Sequence, residues 1–228
     1  MRIDIMTLFP ETLGDVLSES ILGRAQERGF IAIRTHQIRD YTANKQNQVD
    51  DYPYGGGRGA VMTPDPLYRC WEAVCDEAGG PVHTVYLSPC GHTFRQADAI
   101  RLSKMENIIL VCGHYEGIDQ RFIDECVDEE ISLGDFVLTG GEIAAMAVTD
   151  AVCRMVPGFW RIRSASRTRA ILTAFWNTPS TAARRFGTAG RCRKSSCRAT
   201  TKRCASGGAS SRCAGQGSAD PICTKSWT

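Results

Sequence analysis

The segment Ile131-Ser-Leu-Gly-Asp-Phe-Val-Leu-Thr-Gly-Gly-Glu142 decides the fold class of this 228-residue chain. An apolar strand pattern over residues 130–138, with Gly134 inside it, leads into two adjacent glycines, and apolar residues then recur at helical spacing over residues 141–155. A strand that enters a helix through a glycine turn is part of a βα unit. The segment therefore predicts an α/β protein.

Two further segments repeat this order of strand, glycine turn and helix. Tyr86-Leu-Ser-Pro-Cys-Gly91 follows a predicted strand at 83–87, and Cys112-Gly-His-Tyr-Glu-Gly-Ile-Asp119 follows an apolar strand at 107–112. The same periodicities predict strands at 2–8 and 31–38 and helices at 11–24, 64–78, 94–104 and 118–126. Thr63 is the expected N-cap of the second of these helices, and Thr93 with Gln96 forms an expected capping box for the third.

This alternation predicts a parallel sheet covered by helices, with the three glycine segments together at the carboxyl ends of the strands. Open α/β sheets bind their ligands at that edge. Apolar neighbours there could wall a slot for an adenine ring, namely Leu87, Leu133, Phe136 and Leu138. Exposed backbone N–H and C=O groups of the glycine segments could read the edge of the ring.

Residues 39–62 are polar and rich in glycine, and no periodicity runs through them. They contain Asp50-Asp-Tyr-Pro-Tyr-Gly-Gly-Gly-Arg-Gly59, which predicts a loop. Long loops without their own secondary structure are usually functional in compact domains. Glycines in such a loop let backbone N–H groups approach phosphates and bases.

The eleven cysteines indicate neither a disulfide framework nor a metal site, because no C-x-x-C pair occurs. Six lie singly among apolar residues and are predicted to be buried thiols: Cys70, Cys75, Cys90, Cys112, Cys126 and Cys153. The other five lie in a stretch without histidine, at spacings that fit no common zinc site. We expect no metal.

The formal net charge of +2 conceals a division of the chain at residue 158. Up to Gly158 there are 13 Lys and Arg and 24 Asp and Glu, whereas from Phe159 onward 14 basic residues accompany a single acid, Asp220. Residues 159–228 also lack apolar periodicity, so we expect a disordered basic tail behind a folded domain of residues 1–158. The amino terminus does not resemble a signal peptide, and no window is apolar enough to span a membrane, which predicts a soluble, cytoplasmic protein.

Taken together and in order, the motifs of residues 1–158 resemble the bacterial tRNA (guanine-N1)-methyltransferase family of the SPOUT superfamily. Four blocks carry the resemblance: Ile5-Met-Thr-Leu-Phe-Pro-Glu11, Tyr54-Gly-Gly-Gly57, Gly113-His-Tyr-Glu-Gly-Ile-Asp-Gln-Arg121 and the segment at 131–142. It implies an enzyme that transfers a methyl group from S-adenosylmethionine to N1 of the guanine 3′ of the anticodon, position 37. It also implies a deep trefoil knot at the carboxyl end of the domain, a cofactor bent within that knot, and a homodimer whose active sites lie at the interface.

Site residues follow from the resemblance position by position. The implied cofactor contacts are Tyr86, Leu87, Ser88, Gly113, Glu116, Leu133, Gly134, Asp135, Phe136, Val137, Leu138, Gly140 and Gly141. The implied catalytic residues are Glu116 and Arg154, although a cation after a helix also suits the helix dipole without any catalytic role. The implied RNA contacts are Tyr54, Gly55, Gly56, Gly57, Arg58, Gly59 and Tyr115. His114 lies where the family often has another residue, and because no paired acid or cysteine lies near it in the sequence, we interpret it as a contact residue and not a base.

The resemblance fails at the residue that the family uses as its general base. That base is an aspartate in the linker after the knot, and its counterpart here is Arg169, in a stretch without Asp or Glu between Asp150 and Asp220. The codons of Trp176-Asn-Thr-Pro-Ser180 can read Leu-Glu-Tyr-Pro-Gln when shifted by one base, which is similar to a segment of the family's linker. We therefore expect a shifted reading frame and the loss of the family's tRNA-binding C-terminal domain. Two alternatives stay open: a non-catalytic RNA-binding protein with a basic tail, and a knotted methyltransferase with another RNA target.

Overall fold

A five-stranded parallel sheet lies at the centre of the computed structural model, which describes residues 1–159. The strands of the chain are β1 (Arg2–Thr7), β2 (Ala32–Gln37), β3 (Asp50–Asp51), β4 (Val61–Met62), β5 (His83–Thr93), β6 (Asn107–Cys112) and β7 (Glu129–Ser132). The helices are α1 (Pro10–Ser18), α2 (Ser20–Glu27), α3 (Pro64–Ala78), α4 (Gln96–Leu102), α5 (Gln120–Cys126) and α6 (Glu142–Cys153), with a 3-10 turn at Ile38–Tyr41. Strands β3 and β4 form a separate antiparallel pair.

The large sheet has the strand order β2-β1-β6-β5-β7, and all its neighbouring strands are parallel. Strand β6 lies in the middle, and Ile108, Ile109, Leu110 and Val111 are all fully buried. A strand that is covered on both faces needs such a continuous apolar run, because neither set of alternate side chains meets water. The prediction of a parallel sheet covered by helices is confirmed.

Two apolar layers hold the helices on opposite faces of the sheet. One layer joins Ile5 and Leu110 to Leu13 of α1 and Val148 of α6. The other joins sheet residues to α3 and α5, and its largest buried members include Met6, Ile109, Leu67 and Phe122. Each fully buried aliphatic or aromatic side chain contributes about 1.5–3 kcal/mol to the free energy of unfolding. These two layers therefore hold the ends of the strands in place.

The predicted helix at 11–24 is wrong, because the structure divides it into α1 and α2. Glu19 has an extended backbone and Ser20 has φ of 57°, so the helical hydrogen-bond ladder is interrupted between them. The predicted capping box of the helix at 94–104 is also wrong. There the backbone N–H of Arg95 donates to Asp98 Oδ2 over 2.9 Å, so the box lies two residues later.

The predicted strand at 130–138 ends six residues early, at Ser132. The Ser132 hydroxyl donates to the carbonyl oxygen of Gly134 over 3.0 Å, and it accepts from the N–H of Gly134 over 3.2 Å. These bonds replace sheet partners and turn the chain, so residues 133–141 form a loop between β7 and α6.

Five of the six single cysteines before residue 159 are buried as predicted, but Cys90 is exposed. Phe159, which we assigned to the tail, packs into the core with 6% exposure. The rest of the predicted tail, including Arg169, lies outside the described residues. Within residues 1–159, no helix has the length and apolar character that crossing a membrane requires.

Candidate active site

A cavity of about 280 Å³ opens at the carboxyl edge of the sheet, beside the ends of β5, β6 and β7. Three backbone segments surround it: residues 86–90 of β5, residues 113–117 after β6, and residues 131–141 of β7 and the following loop. The three strands are neighbours in the sheet, which explains how segments distant in sequence meet. Ala144 of α6 completes the lining.

A bulge in β5 shapes one wall of the cavity. Leu87 and His92 both oppose Ile131 of β7, so the four residues between them leave the ladder. Bulges of this kind occur next to active sites because they redirect side chains. Here the bulge brings Ser88 and Cys90 into the lining, and the Ser88 hydroxyl accepts from the N–H of Cys90 over 3.1 Å. With this bulge, β5 continues to Thr93, beyond the predicted end at residue 87.

Tyr86 and Gly113 meet at the base of the cavity. The Tyr86 side chain is buried, and burial raises the pKa of its phenol to about 12. A Cβ atom at position 113 would lie 2.8 Å from Tyr86 Oη, so the ring can occupy this position only against a glycine. The N–H of Gly141 donates to the carbonyl oxygen of Gly113 over 2.9 Å and joins the second and third segments.

The structure brings most of the sequence-predicted cofactor contacts to this one cavity. Those in the lining are Tyr86, Leu87, Ser88, Gly113, Glu116, Leu133, Phe136, Val137, Leu138, Gly140 and Gly141. Gly134 and Asp135 lie outside the lining; the Phe136 ring packs against Gly134, and Asp135 is exposed. Sequence reasoning missed Pro89, Cys90, Gly117, Ile131, Ser132, Thr139 and Ala144 as cofactor contacts, although all but Ala144 lie within the three quoted glycine segments.

The lining suits a nucleoside-like ligand with an apolar ring and a polar chain. Leu133, Phe136 and Leu138 supply apolar surface, while Ser88 and the backbone of the glycine segments supply hydrogen-bonding groups. Ligand sites generally combine an apolar lining with a few placed polar groups in this way. Within residues 1–159, no cluster of three or more His, Cys, Asp and Glu side chains could hold a metal ion.

The glycine-rich loop is joined to the second segment of the cavity. The N–H of Glu116 donates to the carbonyl oxygen of Ala60 over 3.0 Å, and the N–H of Met62 donates to the carbonyl oxygen of Gly117 over 3.0 Å. Gly59 has φ of 89°, and the Glu116 side chain occupies the space that a Cβ atom at position 59 would need. Of the predicted RNA contacts, Gly59 therefore lies against this segment and Tyr115 lines the cavity, while Tyr54, Arg58 and the glycines between them are exposed.

His114, which lines the cavity, and Glu142, which lies outside the lining, form a polar corner beside it. Glu142 is the first residue of α6; it is buried, and its Oε1 accepts from the Thr7 hydroxyl over 2.7 Å. His114 lines the cavity, with its ring 5.1 Å from the ring of Phe9 and 5.0 Å from the ring of Tyr115. Its Nδ1 is buried without a hydrogen-bond partner among the described residues.

Arg154 lies at the opposite end of α6 from the cavity. It is the C-cap of that 12-residue helix, which is about 18 Å long, and its Nη1 lies 3.9 Å from Asp150 Oδ2. The structure therefore does not bring Arg154 together with Glu116 within one chain. Its position agrees with the favourable interaction between a cation and the carboxyl end of a helix.

Comparisons with known proteins give one consistent result. The family model described as tRNA (Guanine-1)-methyltransferase TrmD matches residues 1–185. Relatives named tRNA (guanine-N(1)-)-methyltransferase include one from Alkaliphilus metalliredigens, 52% identical over 160 residues, and one from Clostridium perfringens strain SM101, 57% identical over 158 residues. Each alignment covers 69% of this chain and 65% of the relative, so the chain spans slightly less than two thirds of the length of these relatives.

A solved structure shows the same similarity. The crystal structure of the tRNA (m1G37) methyltransferase from Aquifex aeolicus matches with a TM-score of 0.66 and 38% sequence identity. The match covers 71% of this chain and 72% of the other, and it includes the parallel sheet flanked by helices. The family match contains every residue that lines the cavity. This chain belongs to the tRNA (guanine-1)-methyltransferase family.

Proposed function

We propose that this chain is a tRNA methyltransferase that transfers a methyl group from S-adenosylmethionine to N1 of the guanine 3′ of the anticodon, position 37. The observation that carries the proposal is the cavity at the ends of β5, β6 and β7, because all its lining residues lie inside the family match. We place the enzyme in the cytoplasm with its tRNA substrate and without a membrane partner.

The cavity is the proposed cofactor site. Leu133, Phe136 and Leu138 are the proposed walls for the adenine ring, and backbone groups at 86–88 and 140–141 read its polar edges. The bound cofactor supplies a methyl group on a positively charged sulfur. Glu116 is the proposed acidic neighbour of that charge, because this residue lines the cavity. Asp135 and Gly134, which the resemblance also implied, are proposed to act only through the backbone of their loop.

The glycine-rich loop is the proposed site for the anticodon stem. Tyr54 and Arg58 are exposed and bracket three glycines, so aromatic, cationic and backbone groups are all available to RNA. Phosphate contacts of this kind position a nucleic acid, and base contacts specify its sequence. Tyr115, which lies in the cavity lining and is partly exposed, is proposed to meet the target base.

A homodimer is the proposed assembly. Phe136, Val137 and Ile143 are large apolar side chains that are at least half exposed, on the loop and helix beside the cavity. Apolar surface of this kind marks an interaction site when it is contiguous. Arg154 lies too far from the cavity of its own chain to act there, so a catalytic role for it needs the cavity of a second chain. The trefoil knot and the boundary at residue 158 are part of the same proposal.

Methylation at N1 requires a group that removes the N1 proton, and general-base assistance is worth about 10²–10⁴-fold in rate. Arg169 stands where the family has an aspartate, and an arginine cannot accept a proton at any relevant pH. We therefore expect slow methyl transfer compared with a version of the chain in which the family's in-frame sequence follows Gly158. This substitution also favours the second candidate, a protein that binds cofactor and RNA without turnover.

The test combines binding with turnover. Calorimetry should detect S-adenosylmethionine binding to the chain, because the whole cavity precedes residue 158. Labelled cofactor should then transfer methyl groups to tRNA with guanine at position 37 and not to the same tRNA with adenine there. Transfer by neither this chain nor its in-frame version would refute the proposed function. Binding with turnover only in the in-frame version would assign this chain to the second candidate.

A further inference from the structure

His114 has a buried polar atom that the fold leaves unsatisfied. Among the described residues, only His114 Nδ1 and Thr149 Oγ1 are buried without a hydrogen-bond partner, and of these two residues only His114 lines the cavity. An unsatisfied buried polar group costs about 1–3 kcal/mol. Such an atom at a ligand cavity is a candidate for a functional role.

The Glu142 carboxylate faces the same point as His114 Nδ1. A Cβ atom at position 140 would lie 2.9 Å from His114 Nδ1 and would also collide with Glu142 Oε2. The missing side chain of Gly140 therefore leaves the imidazole and the carboxylate on two sides of one small space. Thr7 holds the other carboxylate oxygen, Oε1, which fixes the direction in which Oε2 points.

Aromatic neighbours fix the plane of the imidazole. The Phe9 ring is tilted by 59° to it, and the Tyr115 ring meets it edge-on at 84°. The Nδ1 atom of this ring lies near the Glu142 carboxylate. The other ring nitrogen, Nε2, is part of the same His114 side chain, which lines the cavity. A carboxylate beside one imidazole nitrogen can orient a histidine that works through its second nitrogen.

We propose that His114 is the proton acceptor for guanine N1 in this chain and that Glu142 is its positioning residue. The inference rests on the proposed function. In the reacting complex, Nδ1–H closes on the Glu142 carboxylate, and the lone pair of the neutral imidazole lies on Nε2. As the N1–H bond of guanine breaks, Nε2 takes the proton, and the electron pair of N1 forms the bond to the methyl carbon. The methyl group leaves a sulfonium donor, whose sulfur retains the electrons of the broken bond.

Other groups of the cavity are less suited to take this proton. The Tyr86 phenol has a pKa raised by burial to about 12, so it is a proton donor at neutral pH. The Glu116 side chain packs against Gly59, and Asp135 lies outside the lining. Imidazole is the side chain whose ordinary pKa lets it accept and release protons near neutral pH. In apo structures, catalytic hydrogen bonds are often longer than in the complex, which agrees with the open space between His114 and Glu142.

The experiment compares His114→Gln, Glu142→Gln and the control His92→Gln, whose parent side chain is half exposed and outside the cavity. In single-turnover methyl transfer to tRNA, His114→Gln should lower the rate by about 10²–10⁴-fold, with the tRNA affinity unchanged. His92→Gln should leave the rate unchanged. In the in-frame version, where an aspartate supplies the base, the effect of His114→Gln should become much smaller.

Nitrogen-15 NMR of the histidine rings gives a readout that does not depend on turnover. In the parent chain, we expect the neutral imidazole of His114 to carry its proton on Nδ1. In Glu142→Gln, we expect this preference for one tautomer to be lost. A parent with the proton on Nε2 would overturn the inference. So would an equal loss of rate from His114→Gln in both versions, because that result indicates a structural role. A His114→Gln variant that transfers methyl groups as fast as the parent would overturn this inference and leave the proposed function intact. An inactive parent beside an active in-frame version would overturn this inference and assign the chain to the second candidate.

Discussion

Replacing Gly113 with alanine should weaken cofactor binding by displacing the Tyr86 ring. A Cβ atom at position 113 would lie 2.8 Å from Tyr86 Oη and 2.9 Å from its Cε2, closer than packed atoms tolerate. The ring is only 6% exposed, so it can retreat only into the cavity or into the core. Overpacking of this kind costs about 1–3 kcal/mol. When the whole of this free-energy cost falls on the complex with S-adenosylmethionine, the affinity for the cofactor decreases by about 5- to 150-fold.

Calorimetric titration with S-adenosylmethionine measures this loss, and thermal unfolding measures how much of the cost falls on stability. Gly14→Ala is the matched control, because no atom lies within 4 Å of a Cβ at that position of α1. Alanine there should stabilise the helix by about 0.5–1 kcal/mol and leave the affinity unchanged. A Gly113→Ala variant with the affinity and stability of the parent would refute the role assigned to the contact with Tyr86.

Three further predictions concern buried or reactive side chains. Burial alone would raise the pKa of Asp4, but hydrogen bonds with His36 and Arg2 outweigh it and hold the pKa below its usual value. The free energy of unfolding should therefore decrease as the pH falls below about 4. Urea titrations should show a weaker decrease for Asp4→Asn than for the parent. Thr7→Val should lower the free energy of unfolding by about 1–3 kcal/mol in thermal scans, because Glu142 loses a buried donor; an unchanged melting temperature would contradict this. Iodoacetamide should alkylate Cys90 before the other cysteines of residues 1–159, and peptide mapping should show protection by S-adenosylmethionine, since Cys90 lines the cavity.

The sheet could be predicted from the sequence because its signals are local. The uninterrupted apolar run of β6 and the glycines after three strands both follow from covalent geometry and burial, without knowledge of distant contacts. The strand at 130–138 was extended too far for a related reason. Phe136 and Val137 are as apolar as strand residues, yet they are mostly exposed on a loop, so their hydrophobicity serves another purpose than packing against the sheet.

The site was predictable as a set of segments but less so as a set of side chains. Glycine turns after strands indicate where a ligand edge lies, and this placed Gly113, Gly140 and Gly141 in the lining. The corner of His114 and Glu142 depends on a long-range contact, since Glu142 is fixed by Thr7, which lies 135 residues away in sequence. Arg154 illustrates the converse: a motif match gives a role, but only the structure shows that a whole helix separates it from the cavity.

The strand order β2-β1-β6-β5-β7 determines when each strand can find its partner while the chain is being synthesised. Strand β1 can pair with β2 once residue 37 has left the ribosome, but its other edge must wait for β6, which begins at residue 107. At about 5–20 residues per second, the edge of β1 stays open for about 4–14 s. An open edge of apolar strand is a template for wrong pairing. Molecular chaperones that shield nascent chains should therefore act on this protein between the emergence of β2 and that of β6, before the cavity can bind any ligand.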